Sequence, residues 1–281
     1  VLICVLCGEF LFEEGNNMTR ARINGIEIAY DDVGKGQPVL LLHGFPFNRT
    51  MWRGQVEALR ETYRFITPDL RGHGETKVTE TATMDEMAED AAALLDELQI
   101  ERAVVGGLSM GGYVTLAFYQ KFPERVRALI LADTRPHSDT DEAKETREQQ
   151  ALKALQEGMT PIADGLMPKL IAEETFEELP EVAARLREMM HGMDARGTAA
   201  ALRGMAARKD QTALLRKIDV PTLIIVGSRD AITPPEVSHE MQSEIRGSRL
   251  EIMEGAGHVS NLERPAEFNR ALQEFLDGLQ D

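Results

Sequence analysis

The sequence predicts an α/β protein, with a mostly parallel central sheet flanked by helices and a helical insertion set between two parts of that sheet. Three observations carry this expectation. Wholly apolar runs such as Pro38-Val39-Leu40-Leu41-Leu42 and Thr222-Leu223-Ile224-Ile225-Val226 fit strands covered on both faces rather than wetted on one. Such runs alternate with stretches whose apolar residues recur at helical spacing, the pattern of a parallel sheet. From about residue 136 to 210 the strand-like runs vanish, and charged, methionine-rich helical segments replace them. The chain therefore divides into an extension at 1–17, a first core part at 18–135, a helical cap at 136–210 and a second core part at 211–281.

Residues 1–17 open with an apolar run of about twelve residues, too short to span a bilayer, which takes about 20. The run lacks the basic start and the small-residue cleavage site of a secretory signal. It is read as an extension ahead of a domain that starts at Met18. If ordered, its valines and leucines need burial, as an added strand on a sheet edge or across a dimer contact. The expected assembly is a monomer or a homodimer, the latter involving this extension. Its Cys4 and Cys7 are the only cysteines. With no second pair and no surrounding βαβ unit, they read as incidental thiols rather than a redox or zinc motif.

A hairpin follows: Ala21-Arg22-Ile23, the turn pair Asn24-Gly25, then alternating Ile26-Glu27-Ile28-Ala29-Tyr30. Strands are expected at 38–42 and 63–67. Thr83 opens a helix, with Glu86 completing a capping box, and Met84, Met87, Ala88, Ala91, Leu94, Leu95 and Leu98 form its apolar stripe. A strand ending at Leu108, a helix stopping before Pro123 and a strand at 128–131 come next. Within the insertion, helices are expected at 141–156, 181–191 and 199–208. Alternation then returns with strands at 222–226 and 249–253 and helices at 235–245 and 265–279.

The chain of 281 residues is 43% apolar and 28% charged, as in ordinary globular proteins, and carries a net charge of −16. Such a surface repels phosphate backbones and anionic lipid, so neither nucleic acid nor a membrane is an expected partner. A cytoplasmic location is expected. No metal-ligand cluster appears, and Gly106-Gly107 does not complete a dinucleotide fingerprint, so no metal and no cofactor is expected.

The chemistry centres on Gly107-Leu108-Ser109-Met110-Gly111, a G-x-S-x-G pattern between an apolar strand and an apolar helix. In a nucleophile elbow the serine sits at the apex of a strained turn, and flanking glycines let strand and helix approach. Three fixed positions alone recur by chance in roughly one chain in ten of this length, and a serine that merely caps the helix is the bland alternative. A serine hydroxyl also needs a base, and the base needs a third group to hold its tautomer. Asp230 follows one strand through Gly227-Ser228-Arg229, and His258 follows another through Gly255-Ala256-Gly257. Both lie past carboxyl ends of strands, where open parallel sheets place their sites. Asp133, at the end of an earlier strand, is a rival acid; Asp230 is preferred because its place in the Ser, Asp, His order lies late in the sheet. His137, His191 and His239 read as surface residues. For the oxyanion, the donors expected are the N–H groups of Met110 and of Phe45, the latter in the loop after 38–42, which His43 braces. Trp52, Met159, Met167, Met189 and Met193 are candidates to line an apolar pocket, with ordinary core packing as the competing role.

Taken together, His43-Gly44-Phe45-Pro46, Asp69-Leu70-Arg71-Gly72-His73-Gly74, Gly107-Leu108-Ser109-Met110-Gly111-Gly112, Gly227-Ser228-Arg229-Asp230 and Gly255-Ala256-Gly257-His258 resemble the α/β-hydrolase superfamily. The resemblance covers everything from Met18 onward. It implies the α/β-hydrolase fold with a cap after the sixth strand, where 136–210 falls. The segments Leu-Ser-Met-Gly-Gly at 108–112, Thr-Pro-Pro at 233–235 and Gly-His-Val-Ser-Asn-Leu-Glu-Arg-Pro at 257–265 look most like the 3-oxoadipate enol-lactonase and carboxylesterase group. That implies a carboxylic ester hydrolase cleaving a small ester or lactone through an acyl-enzyme. Dehalogenases and epoxide hydrolases of this fold carry aspartate where Ser109 stands, and carbon–carbon bond hydrolases commonly carry Asn where Leu108 stands. Perhydrolase or haloperoxidase-like activity shares the triad and stays open, as does a non-catalytic binding protein on the same scaffold.

Overall fold

The computed structural model describes residues 18–279. The extension at 1–17, with its suggested edge strand, lies outside the described residues.

β1 (Met18–Ile23) and β2 (Ile26–Gly34) form the expected hairpin. Its turn residues, Asn24 and Gly25, have φ of 48° and 83°. Two successive positive φ values give the turn whose twist matches that of the strands, and Asn-Gly tolerates them best. β3 (Gln37–Leu42) leads through a 3₁₀ turn at Arg49–Trp52 into α1 (Arg53–Leu59). β4 (Tyr63–Pro68), α2 (Met84–Glu97), β5 (Ala103–Leu108), α3 (Met110–Lys121) and β6 (Val126–Ala132) follow. The capping box at the start of α2 is formed in both directions between Thr83 and Glu86.

Between β6 and the next strand stand α4 (Asp141–Glu157), α5 (Thr160–Leu170), α6 (Thr175–Glu178), α7 (Pro180–His191) and α8 (Ala195–Ala206). A short α9 (Thr212–Leu215) returns the chain to β7 (Thr222–Gly227), α10 (Pro235–Glu244), β8 (Arg249–Met253), α11 (Ser260–Glu263) and α12 (Pro265–Asp277). No helix among the described residues is long and apolar enough to cross a membrane.

The eight strands lie in the order β1-β2-β4-β3-β5-β6-β7-β8. From β4 to β8 every neighbouring pair is parallel, and only the β1–β2 hairpin and its junction with β4 are antiparallel. The apolar strand runs are explained by what covers them. Leu40, Leu42, Val105, Leu129, Leu131 and Ile224 pack into one core with residues of α2, α3 and α8. Their immediate neighbours Val39, Leu41, Val104, Ala128, Ile130 and Ile225 enter another with Trp52 and residues of α12. Successive side chains point to opposite faces of a strand, and both faces are dry here, so each strand reads as continuous apolar sequence.

The insertion differs in detail from the expectation. α5 and α6 were not foreseen, and α8 begins at Ala195 rather than at 199. Its early turn contains Gly197, where a Cβ would stand 1.9 Å from the Gly72 carbonyl oxygen. One turn before its end, a Cβ on Gly204 would stand 2.0 Å from the Ala82 carbonyl oxygen. The helix thus rests backbone against backbone on the segment between β4 and α2, which a side chain at either glycine would prevent.

Candidate active site

β5 passes into α3 through Ser109, whose φ of 54° and ψ of −111° lie where L-residues are strained. Three glycines make that turn physically possible. A Cβ on Gly107 would meet the Gly111 backbone at 2.2 Å, one on Gly111 the Leu42 carbonyl oxygen at 2.1 Å, and one on Gly112 the Thr134 hydroxyl at 2.3 Å. The strain is held from below: Ser109 N–H donates to Ala132 O at 2.9 Å, and the Thr134 hydroxyl donates to Ser109 O at 2.8 Å.

The structure brings together the three residues expected from sequence. Ser109 Oγ lies 2.8 Å from His258 Nε2, and His258 Nδ1 lies 2.8 Å from Asp230 Oδ2. His258 is 2% and Asp230 3% exposed, so the link between them is shut off from water, while Ser109 is partly exposed. Asp230 Oδ1 accepts from the N–H groups of Ile232 and Thr233, at 2.8 and 2.9 Å, and Oδ2 accepts from the Thr233 hydroxyl at 2.6 Å. Burial raises the Asp230 carboxyl, but the His258 charge and hydrogen bond and the Thr233 donors outweigh it and bring it below the usual carboxylate range.

Asp133 stands at the end of the neighbouring strand, fully buried, and does not reach the imidazole. Its Oδ1 accepts from Gly227 N–H at 2.9 Å, and its Oδ2 contacts Ser260 Oγ at 2.6 Å. Burial first, then the nearby Asp230 charge, pushes its carboxyl well above the ordinary value.

His43 Nδ1 donates to Gly44 O at 2.8 Å, and its Nε2 accepts from Leu70 N–H at 2.9 Å. Burial lowers its pKa to about 4, so the ring is a neutral brace between the loops after β3 and β4. The next residues carry the Phe45 N–H, which donates to no backbone carbonyl among the described residues. The Met110 N–H belongs to the first turn of α3, where no intrahelical acceptor exists.

Three further residues escaped the sequence reading. Thr233 is signalled only by a hydroxyl three positions after the acid. Thr134 simply follows a strand, and Glu263 sits among Asn, Arg and Pro, although it is 1% exposed. Of the candidate pocket residues, Trp52 is buried against Phe268, with ring centroids 6.2 Å apart. Met167 and Met189 belong to that same core, and Met189 Sδ meets the Thr50 hydroxyl at 3.5 Å. Met159 and Met193 lie inside the insertion with Ala154 and Ile162. A separate cavity of about 140 Å³, bordered by Tyr113, Arg135 and Arg208, shares no lining residue with the Ser109 centre. Among the described residues no group of three or more His, Cys, Asp or Glu side chains is placed to hold a metal ion.

Comparison with known proteins agrees with this fold. The model of the alpha/beta hydrolase family matches residues 39–271. The chain is 32% identical over 230 residues to 3-oxoadipate enol-lactonase 2 of Acinetobacter baylyi, covering 82% of this chain and 84% of that one. A malate-bound thermophilic esterase from Thermogutta terrifontis superposes with a TM-score of 0.91 at 42% identity, covering 94% of this chain and 99% of the other. The enol-lactonase of Burkholderia xenovorans gives a TM-score of 0.86 at 30% identity, over 92% and 100% of the two chains. With its fold, its strand order and the matched region in accord, the chain belongs to the alpha/beta hydrolase family.

Proposed function

We propose that the protein is a serine hydrolase that cleaves a carboxylic ester or lactone of modest size through an acyl-enzyme. The unbroken contact chain from Ser109 Oγ through His258 to Asp230, both links at 2.8 Å, carries this reading. The enol-lactonase and esterase relatives support the substrate class.

Ser109 Oγ attacks the substrate carbonyl while His258 Nε2 takes its proton. Asp230 holds the Nδ1–H tautomer and stabilises the imidazolium. The developing oxyanion is received by the Phe45 and Met110 N–H groups, each worth about 3 to 4 kcal/mol in the transition state. His258 then gives the proton to the departing alkoxide, and in a lactone that group stays tethered to the acyl chain. Water activated by His258 attacks the acyl-enzyme and releases the acid. Residues 136–210 act as the cap over this centre, and their packing sets which acyl and alcohol groups enter.

Turnover of p-nitrophenyl acetate tests the reading. Ser109→Ala is expected to lower kcat by about 10⁴- to 10⁶-fold; undiminished turnover would remove Ser109 as the nucleophile. A panel of enol-lactones and aryl esters then ranks the two substrate types by kcat/KM.

A further inference from the structure

The main-chain groups around the base are engaged on two sides. Arg229 N–H donates to Ala256 O at 2.8 Å, and a Cβ on Gly227 would fall 2.0 Å from Gly257 O, so the loop that carries Asp230 supports one side. The other side is held by the insertion. His258 N–H donates to Leu170 O at 2.9 Å, at the end of α5, and a Cβ on Gly257 would lie 2.7 Å from Ala172 N.

One buried carboxylate joins these two partners. Glu263 Oε1 accepts from Gly257 N–H at 2.8 Å, the residue directly before the base. Its Oε2 accepts from Ala172 N–H at 2.9 Å, between α5 and α6 of the insertion, and from the hydroxyl of Thr175, the first residue of α6, at 2.6 Å. A carboxylate has two acceptor oxygens and can serve donors from two segments at once. Leaving those buried N–H groups without a partner would be costly.

We propose that Glu263 is a positioning residue that fixes the insertion to the His258 loop, so that the placement of the base depends on the placement of the insertion. This rests on the assignment of His258 as the base. The dependence has a chemical consequence: a disturbance between α5 and α6 reaches kcat through the imidazole, and not only KM through the substrate pocket. Burial raises the Glu263 carboxyl above its ordinary value, and the Thr175 hydroxyl and the Ala172 and Gly257 N–H groups offset part of that shift.

Three variants test this at temperatures where each is folded. Glu263→Ala removes every bond. Glu263→Gln retains one acceptor oxygen and so serves one segment but not both. Thr175→Val removes only an insertion-side bond and leaves the carboxylate in place. Small misplacements of catalytic groups cost up to about 100-fold. On that scale kcat is expected to fall about 100-fold, about 10-fold and about 3-fold in that order, with KM within about 3-fold throughout. The downfield proton resonance of the His258–Asp230 hydrogen bond should shift or broaden in Glu263→Ala and partly recover in Glu263→Gln. A Glu263→Ala protein that is less heat-stable yet keeps the wild-type resonance and kcat would overturn the proposal, leaving Glu263 a merely structural residue. Single-turnover acylation by p-nitrophenyl acetate, with Ser109→Ala alongside, separates the two levels of failure. Unchanged turnover in Ser109→Ala defeats the assignment of the centre itself, whereas loss of turnover in Ser109→Ala with an unchanged acylation rate in Glu263→Ala defeats this inference alone.

Discussion

The ends of β6 and β7 each present a buried aspartate, Asp133 at 0% and Asp230 at 3% exposure, and the two carboxyls shift in opposite directions. Burial is the largest influence on both, so burial does not separate them. Their titratable neighbours do. Each collects two N–H groups and one hydroxyl, from Ile232 and Thr233 at Asp230 and from Gly227 and Ser260 at Asp133, but Asp230 also has the imidazole, whereas Asp133 faces the other carboxylate. Two neighbouring carboxyls do not both ionise cheaply out of water, and the one beside the imidazole is held low while the other is pushed up. The position of an acid in a strand order therefore says less about its role than the titratable groups that surround it.

Three substitutions press on this contrast. Asp230→Asn keeps the shape but favours the wrong imidazole tautomer, so kcat should fall about 10³- to 10⁴-fold; a loss under tenfold in steady-state assays would give the role of acid back to Asp133. Thr233→Val removes the hydroxyl from Oδ2, and kcat should fall about tenfold, the scale of one hydrogen bond to a charged group. Asp133→Asn should matter least for turnover, within about 3-fold, because the amide still accepts from Gly227 N–H and can donate to Ser260 Oγ.

Stability should respond to Asp133→Asn with a definite sign. The folded-state carboxyl of Asp133 is raised, so between its unfolded and folded pKa values the native protein binds the extra proton, and stability contributed by this group is lost as pH rises. The amide has no such dependence. The difference in Tm, variant minus wild type, should grow from about pH 4 to pH 7 as that contribution fades. A difference that is flat or shrinks would mean that Asp133 is ionised in the folded protein.

Much of this architecture was legible in the sequence where local chemistry and global fold agree. Asn24-Gly25, the Thr83–Glu86 box and the glycines around Ser109 each state a backbone requirement in the residue itself. Asp230 and His258 follow glycine turns at strand ends, a position the topology turns into proximity. α5 was hidden because Pro161, Gly165 and Pro168 interrupt its pattern, the last inside the helix. α6 is a single turn. α8 was placed late because Gly197, a helix-weakening residue by propensity, is there for the close approach to Gly72. Glu263 was hidden for a different reason: its partners Ala172 and Thr175 are fixed by tertiary contact, and a lone carboxylate carries no period, just as the single hydroxyl of Thr233 carries none.

The position of β5, with β3 on one side and β6 on the other, bears on how the protein comes into being. Ser109 directly follows this inner strand, yet His258 contacts it across 149 positions of chain, and β7 and β8 must dock after the whole insertion has been made. Contacts of such separation form slowly and late. On the proposed assignment of His258 as the base, a chain without the loop after β8 holds Ser109 without its base. Hydrolytic activity then reports that the last strand and the loop that follows it are in place.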